Sequence, residues 1–333
     1  MDINFDAVYY EPQALNYELG AFLQEKYAAL PWLEIKSHNL IPELSGSENR
    51  QFSHLKRHLI VGVRKTHKYV ENNKVSDWLV PYTSSGCRAM CLYCYLVCNY
   101  NKCAYLRLFV NREQMMDRLL KKSNAASNPQ TFEIGSNSDL VLENIVTGNL
   151  PWTIERYARE GKGFITFPTK FAMVKPLLGL AHGGKTIFRM SFNPTEIIRR
   201  VAIGTSPLDA RISALNDMAQ AGYRVGLLIA PIILLPGWQQ LYAELIEELE
   251  DKLDEKVKNH GFIEIILMTY SFVQNAINTE AFPHAVQLFD RNLMTGRGRG
   301  KYCYRADVRV AAETFLRQKL AHQLGSMKIL YIS

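Results

Sequence analysis

Two hydrophobic periodicities alternate along this 333-residue chain. From about residue 80, short apolar runs rich in β-branched and aromatic residues are separated by longer amphipathic segments. Buried strands that alternate with helices are typical of parallel sheets, because parallel strands need a crossover connection. We interpret as buried strands the runs 105–110, 131–136, 163–168, 186–192, 224–231 and 262–268.

The helical pattern is clearest in segments 207–221 and 238–253, where apolar residues recur every three or four positions. Gly222 follows the first of these helices and suits a left-handed C-terminal cap. Nearer the N-terminus, we predict a helix over 12–30 and a strand over 58–65.

Six strand–helix units predict an α/β fold, an incomplete parallel (β/α) barrel with N- and C-terminal α+β additions. We assign 1–75 to an N-terminal α/β extension, 76–270 to the barrel and 271–333 to a C-terminal segment that closes it. Chemistry in such folds gathers at the carboxyl ends of the strands.

Composition narrows the class of protein. At 47% hydrophobic and 21% charged residues, the chain has an ordinary globular composition. It lacks the ~18-residue apolar run of a membrane span, and its first residues lack a secretory pattern. We therefore expect a cytoplasmic protein with no membrane partner. The charge of +7 is compatible with a nucleic-acid partner without requiring one.

The cysteines carry the strongest chemical signal. Five of the six lie between Cys87 and Cys103, and crowding of this kind favours metal binding over disulfides. Cys87, Cys91 and Cys94 have the spacing C-x3-C-x2-C and follow a predicted strand at 78–81. Three thiolates from one loop can ligate three irons of a [4Fe–4S] cluster. The fourth iron then stays open for S-adenosylmethionine, whose reductive cleavage releases a 5′-deoxyadenosyl radical.

Two other kinds of site fit the same cysteines. A structural zinc site would recruit Cys98 or Cys103 as its fourth ligand. A fully ligated cluster would only transfer electrons. The position of the motif at the first strand-to-helix loop, with Tyr93 before the third cysteine, favours the radical chemistry.

The motif resembles that of the radical S-adenosylmethionine superfamily, and further residues resemble the spore photoproduct lyase family in the same order. The resemblance runs from about residue 8 to the C-terminus. The matching residues are Tyr10-Glu11-Pro12, Val61-Gly62-Val63-Arg64, Cys94-Tyr95-Leu96, Phe132-Glu133, Ser138-Asp139, Thr169-Lys170, Phe188-Arg189, Ser191, Asn193, Ala221-Gly222-Tyr223, Ala230-Pro231, Gly237-Trp238 and Gly300-Lys301-Tyr302.

The resemblance implies a radical carbon–carbon lyase that repairs the thymine dimer formed by ultraviolet light in spore DNA. In that family the adenosyl radical takes a hydrogen atom from C6 of the lesion, and the methylene bridge then fragments. A cysteine thiol returns a hydrogen atom, and tyrosines help to relay it. The implied cofactors are one [4Fe–4S] cluster and S-adenosylmethionine. The implied partners are damaged DNA, with the lesion flipped out of the helix, and a reductant such as flavodoxin or ferredoxin.

Residue roles also follow from the resemblance. It implies Cys87, Cys91 and Cys94 as cluster ligands, with Tyr93 and Tyr95 as the tyrosines beside the cluster. The positions around bound S-adenosylmethionine correspond to Ser138, Asp139, Lys170 and Ser191. A carboxylate and an ammonium group suit its zwitterionic methionine part. As substrate or DNA contacts we expect Arg189, Asn193, Arg297, Arg299, Lys301 and Tyr302.

One position departs from the family. Ser136 stands where the family has its hydrogen-donating cysteine. A serine O–H bond is much stronger than a thiol S–H bond, and each ~1.4 kcal/mol of barrier costs a factor of ten in rate. Three explanations are open: Cys98, Cys103 or Cys303 replaces the donor, the substrate is a different nucleic acid, or the chain is a slow paralogue. Our leading catalytic replacement is Cys98.

The leading hypothesis is therefore a DNA-lesion lyase. The alternatives are a radical enzyme of the same build acting on another nucleic-acid substrate, and a non-catalytic DNA-binding iron–sulfur protein. Formation of 5′-deoxyadenosine by the reduced protein separates the enzymes from the binding protein.

Overall fold

The computed structural model describes residues 3–98 and 105–333. The strands are β1 (Ala7–Tyr10), β2 (Trp32–Glu34), β3 (His58–Gly62), β4 (Val70–Glu71), β5 (Trp78–Leu79), β6 (Ser84–Ser85), β7 (Leu106–Phe109), β8 (Thr131–Glu133), β9 (Phe164–Thr169), β10 (Thr186–Phe192), β11 (Arg224–Ile232), β12 (Phe262–Leu267), β13 (Thr269–Ser271), β14 (Met294–Gly298), β15 (Lys301–Tyr304) and β16 (Lys328–Ile332). The helices are α1 (Glu18–Lys26), α2 (Pro42–Ser45), α3 (Phe52–Leu55), α4 (Arg112–Ala125), α5 (Leu140–Thr147), α6 (Asn149–Glu160), α7 (Thr195–Arg200), α8 (Leu208–Gln220), α9 (Trp238–Lys252), α10 (Glu255–His260), α11 (Phe272–Ala281) and α12 (Ala306–Gln323).

Two compact units make up the described chain. The first contains residues 3–88, 105–167 and 179–186, and the second contains Ala89–Cys98, Pro168–Leu178 and Ile187–Ser333. The domain boundaries predicted from the sequence at residues 75 and 270 stay predictions.

The first unit contains a sheet in the order β2-β1-β3-β7-β6, with β6 antiparallel to its neighbour and the other strands parallel. Its core includes Val8, Leu59, Val61, Leu106 and Leu108. In the same unit β5, β8 and β9 also pair in parallel. The carboxyl ends of β6 and β8 lead into residues 86–87 and 134–139, where several candidate site residues lie.

The second unit contains the parallel strands β10, β11, β12 and β16. Every residue of β10 is buried, as expected for a strand covered on both faces. Helix α8 packs an apolar stripe that includes Ile212, Leu215 and Met218. The helix is followed by Gly222 at φ 89°, which confirms the predicted left-handed cap.

The predicted fold class is confirmed: the chain has a mixed α/β fold with a strongly curled, half-barrel parallel sheet. One predicted strand is present but joins a different sheet, and one helix prediction was wrong in its bounds. The run 105–110 gives β7, which pairs with β3 and β6 and not with a barrel strand. An apolar run signals burial on two faces but does not say which sheet a strand joins. The helix predicted over 12–30 is a 3₁₀ turn, Pro12–Asn16, followed by the shorter α1.

Within residues 3–98 and 105–333, we find no helix that is both long and apolar enough to cross a membrane.

Candidate active site

The segment that carries Cys91 and Cys94 lies in the second unit and is fixed through its backbone. The N–H groups of Met90 and Leu92 each donate to a carbonyl of the segment after α7, at 2.9 Å. The Cys94 N–H donates to the Cys91 carbonyl at 3.0 Å and closes a tight turn between the two cysteines. Both thiols are free and partly exposed.

Helix α11 holds the same turn from another direction. The Gln274 side-chain amide donates to the Tyr93 carbonyl at 2.6 Å, and the Asn278 amide donates to the Leu92 carbonyl at 2.7 Å. Residues four apart lie on one face of a helix. The sequence analysis missed these residues, although two amides at this spacing were a signal that could have found them.

Lys170 places a positive charge beside this turn. It directly follows β9, and its ammonium lies 5.7 Å from the centroid of the Tyr93 ring. Burial raises the pKa of the Cys91 thiol, and Lys170 partly offsets this by favouring the thiolate. Burial and the neighbouring Cys91 raise the pKa of Tyr93 well above its ordinary value, so its hydroxyl keeps its proton. The structure thus brings Cys91, Tyr93 and Lys170 together.

Cys87 lies in the first unit, next to the segment predicted to bind S-adenosylmethionine. Gly86, at φ 79°, donates its N–H to the Asn137 carbonyl at 2.8 Å and forms a parallel bridge with Ser138. The Cys87 carbonyl accepts a 2.6 Å hydrogen bond from the ammonium of Lys56, which is fully buried. Sequence analysis missed Lys56, since a single lysine in a basic segment gives no such signal.

The segment 136–139 presents polar groups at the end of β8. The Ser138 hydroxyl oxygen is buried and has no hydrogen-bond partner within the described residues. Asp139 is buried and caps α5, because its carboxylate accepts from the Leu142 N–H at 3.2 Å. Ser136 is partly exposed two residues before Ser138. A buried, unsatisfied hydroxyl is costly unless a ligand completes it, so this segment suits a polar ligand.

Ser191 and Asn193 share one buried acceptor in the second unit. The Ser191 hydroxyl donates to the Ala230 carbonyl at 2.9 Å, and the Asn193 amide donates to the same oxygen at 3.1 Å. The buried Arg211 donates to the Ser191 carbonyl at 2.7 Å. Arg211 was missed because α8 reads as an amphipathic helix, in which an arginine is ordinarily exposed. Ligand contacts by Ser191 and Asn193 stay predictions.

Arg189 forms a buried ion pair. It is 3% exposed, and its guanidinium donates to both carboxylate oxygens of the fully buried Glu264 at 3.2 Å. The Tyr331 hydroxyl donates to the same carboxylate at 2.5 Å. The predicted substrate contact of Arg189 is not tested, and the structure gives this side chain an internal partner that the sequence analysis missed.

The basic residues near the C-terminus lie together on a β-hairpin. Strands β14 and β15 are antiparallel and are joined by Arg299 and Gly300, at φ 52° and 68°. Positive φ at both turn residues is the type I′ pattern that suits a hairpin twist. Arg297, Arg299 and Lys301 are exposed, and Tyr302 packs against Phe289 with ring centroids 4.6 Å apart. DNA contact by this hairpin stays a prediction.

The remaining cysteines differ in their surroundings. Cys98 is exposed, and its sulfur lies 3.1 Å from the Ser271 hydroxyl. Tyr95, three residues earlier, is 55% exposed. Cys303 is partly exposed in β15. Cys103, the third thiol that we considered as a donor, lies outside the described residues.

No metal centre is assembled by side chains alone in the part of the chain that the structure describes. Within it, no three His, Cys, Asp or Glu side chains are grouped closely enough to hold a metal ion. In the second unit, the Cys91 and Cys94 thiols with Lys170 beside Cys91 suit thiolate ligands. In the first unit, the unsatisfied Ser138 hydroxyl suits a polar ligand. Ligation by the three cysteines stays a prediction.

Comparison with known proteins identifies the family. The family model described as spore photoproduct lyase matches residues 3–333. The chain belongs to the spore photoproduct lyase family. It is 34% identical to the spore photoproduct lyase of Bacillus subtilis, over 93% of this chain and 94% of that protein. It is 32% identical to that of Geobacillus sp., over 98% of both.

Solved structures of spore photoproduct lyase share the fold. One, complexed with dinucleoside spore photoproduct, covers 100% of both chains with a TM-score of 0.92 and 30% identity. Another, a double mutant with bound AdoMet and dinucleoside spore photoproduct, has the same coverage and TM-score at 29% identity. The family resemblance is thereby confirmed, together with the predicted class of enzyme, a radical S-adenosylmethionine lyase of DNA repair.

Proposed function

We propose that this chain reverts the spore photoproduct in DNA by radical S-adenosylmethionine chemistry. The observation that carries the proposal is the full-length match to a spore photoproduct lyase structure with AdoMet and dinucleoside spore photoproduct bound. Two features of this chain also support the proposal: the polar segment 136–139 and the contact between Lys170 and Tyr93.

We assign the cluster to Cys87, Cys91 and Cys94. When bound, the [4Fe–4S] cluster and S-adenosylmethionine supply the 5′-deoxyadenosyl radical that abstracts hydrogen from the lesion. Lys170 favours the thiolate of Cys91 that a cluster needs. Ser138 and Asp139 present a hydroxyl and a carboxylate to the polar end of the methionine part. Ser191, near the end of β10, is assigned to the same ligand because it matches a family position around bound S-adenosylmethionine.

The hydrogen donor is assigned to Cys98. Ser136 is excluded from this role in our proposal by the strength of its O–H bond. Cys98 is exposed and its sulfur contacts the Ser271 hydroxyl, so the thiol is accessible and held at one end. Tyr93 and Tyr95 are assigned to the relay, since one is held in the cluster turn and the other is exposed.

The partners are damaged DNA and a small electron donor of the flavodoxin or ferredoxin type. We assign DNA contact to the exposed cations Arg297, Arg299 and Lys301 of the hairpin and expect the lesion to leave the helix to be processed. We also assign substrate contacts to Arg189, Asn193 and Tyr302. A cytoplasmic location suits thiols that must stay reduced.

The test is anaerobic turnover of the dinucleoside spore photoproduct by reconstituted protein with dithionite. We expect wild type to restore thymidine and Ser136→Cys to do so with fewer radical by-products. Formation of 5′-deoxyadenosine without thymidine in both proteins would overturn the lesion assignment. Cys98→Ala tests the donor: a thymidine yield equal to that of wild type would remove Cys98 from the mechanism.

A matched pair of cysteine variants tests the cluster. Cys91→Ala should lose both iron and 5′-deoxyadenosine formation, because one thiolate ligand is gone. Cys303→Ala removes a partly exposed thiol outside the motif and should keep both. Zinc in the purified protein, or a cluster whose spectrum does not respond to S-adenosylmethionine, would contradict the radical mechanism.

One observation favours a second candidate. The serine at position 136 removes the family's donor, which also fits a related radical enzyme whose nucleic-acid substrate needs no hydrogen returned at that point. In that case 5′-deoxyadenosine forms with another nucleic acid, while the spore photoproduct is left unchanged.

A further inference from the structure

A polar cavity lies in the first unit, apart from the residues assigned above. Its volume is about 260 Å³, and its lining includes Arg64, Lys65, Arg107, His38 and Glu11. Two arginines, one lysine and one carboxylate therefore line this space. The volume is below the range of about 300–1,000 Å³ of sites for drug-sized ligands. The cavity suits a small anion or the charged end of a larger molecule.

Arg107 supplies a buried and oriented guanidinium. It belongs to β7, is 5% exposed, and donates from Nε to the Ser85 hydroxyl at 3.0 Å. Desolvating an arginine is costly unless charged or polar partners compensate. Arg107 also donates from Nη1 to the His38 carbonyl at 3.5 Å. Its guanidinium is therefore held at the cavity wall and loses little rotamer entropy on binding an anion.

Arg64 is held from a different strand. It follows the end of β3, donates from Nε to the Tyr82 carbonyl at 2.9 Å, and stacks 3.8 Å from the centroid of the Phe109 ring. Its backbone is fixed on both sides by Asn111, which accepts from the Arg64 N–H and donates to the Arg64 carbonyl. Two planar guanidinium groups thus line one cavity, and each is held by different hydrogen-bond partners.

Glu11 and His38 form another part of the wall, where the Glu11 carboxylate is held by hydrogen bonds within the protein. One Glu11 oxygen lies 2.9 Å from His38 Nδ1 and accepts from the His38 N–H at 3.0 Å, and the other accepts from the Val63 N–H at 2.9 Å. The approach requires Gly62, because a Cβ there would lie 2.8 Å from His38 Nδ1. Glu11 is engaged within the protein.

We propose that this cavity binds a phosphoryl group, either of a DNA strand or of a free nucleotide or phosphate. A phosphoryl group offers at least three oxygens, which suit donors from three basic residues, whereas a carboxylate offers two. A volume of about 260 Å³ has room for a phosphoryl group. The site is independent of the proposed lyase chemistry, so its test measures anion binding and not lesion cleavage.

Calorimetry on the full chain, at fixed ionic strength, tests the site with inorganic phosphate, thymidine 5′-monophosphate and unphosphorylated thymidine. We expect the two phosphate compounds to bind and thymidine not to bind. Lys65→Gln should weaken binding about tenfold, as expected for one charge-assisted hydrogen bond. Lys68→Gln removes an exposed lysine three residues away, outside the cavity lining, and should bind as wild type does.

A competition arm distinguishes the two sources of phosphate. A lesion-free thymidine decamer without terminal phosphates displaces thymidine 5′-monophosphate only if the cavity accepts an internal phosphodiester. Arg107→Lys keeps the charge but not the planar fork, and we expect it to lose most of the binding. Equal affinities for thymidine and its monophosphate, or equal losses in Lys65→Gln and Lys68→Gln, would overturn the proposal, and Lys65→Gln decides it even if Arg107→Lys folds poorly.

Discussion

Glu264 shows how a single residue in an apolar strand can signal a charge network. It lies within the run FIEIIL, is fully buried, and accepts from Arg189 and Tyr331. A carboxylate in such a run is tolerated only with partners, a signal that the sequence analysis did not use. It did not identify the partner, because Arg189 and Tyr331 are far away along the chain.

Removing the Glu264 charge should therefore be costly. We expect Glu264→Gln to lower the free energy of unfolding by about 3–5 kcal/mol, since Arg189 is left as a buried, uncompensated cation. Urea denaturation measures the change. Glu248→Gln, which breaks an exposed pair with Lys252 on α9, should give a much smaller loss. Similar losses in the two variants would contradict a buried, interacting pair.

Glu11 gives a prediction for acid stability. Burial alone raises the pKa of this carboxyl, but the His38 side chain and the backbone N–H groups of Val63 and His38 lower it to about 2. A depressed pKa in the folded state contributes stability above the ordinary value of 4.5 and loses it as the pH falls towards 2. At ~1.4 kcal/mol per unit, the contribution is about 3 kcal/mol.

The prediction is tested by measuring the free energy of unfolding between pH 6 and pH 2, roughly the window set by these pKa values. Wild type should lose about 3 kcal/mol more than Glu11→Gln across that window. Glu25→Gln, at an exposed position of α1, should follow the wild-type curve. Parallel curves for wild type and Glu11→Gln would show that this carboxyl does not couple to folding.

At the scale of elements, α11 acts as a support for the cysteine turn. Its two amides contact backbone carbonyls between Cys91 and Cys94, so the helix orients the loop without supplying a ligand. Such outer contacts typically change metal affinity 10–100-fold.

Loss of this support should weaken the metal site more than the fold. We expect the double variant Gln274→Ala with Asn278→Ala to bind iron about tenfold less tightly after anaerobic reconstitution. Iron content under a graded chelator measures the effect. Asn275→Ala changes the amide next to Gln274 on the same helix and should retain wild-type iron. Equal retention in all three proteins would remove α11 from the site.

For the whole molecule, hydrophobic periodicity predicted the α/β class and most parallel strands, with β10 matching its predicted bounds. It failed where local pattern does not determine pairing, as for β7. In the site, the cysteine spacing was visible because the proposed ligands are neighbours in sequence. Lys56, Arg211 and Glu264 were not, since each gains its role from a residue brought near only by folding.

Ligand binding gives a prediction for the intact protein. S-adenosylmethionine at about 100 times its dissociation constant should stabilise the reconstituted protein by about 2.7 kcal/mol, because only the folded chain binds it. Thermal unfolding without oxygen measures the shift. Cys91→Ala should show none, and Cys303→Ala should shift as wild type does. A shift that persists in Cys91→Ala would mean that the ligand binds away from the cluster.

Gly62, beside the Glu11–His38 pair, can be used to classify homologues by whether this wall is conserved in structure. Any side chain at position 62 would collide with His38 and would lie 3.1 Å from a Glu11 oxygen. A homologue with alanine there must have rearranged that wall, whatever else it retains. The residue at position 62 therefore marks, in genome sequences, the homologues in which the Glu11–His38 wall is rearranged.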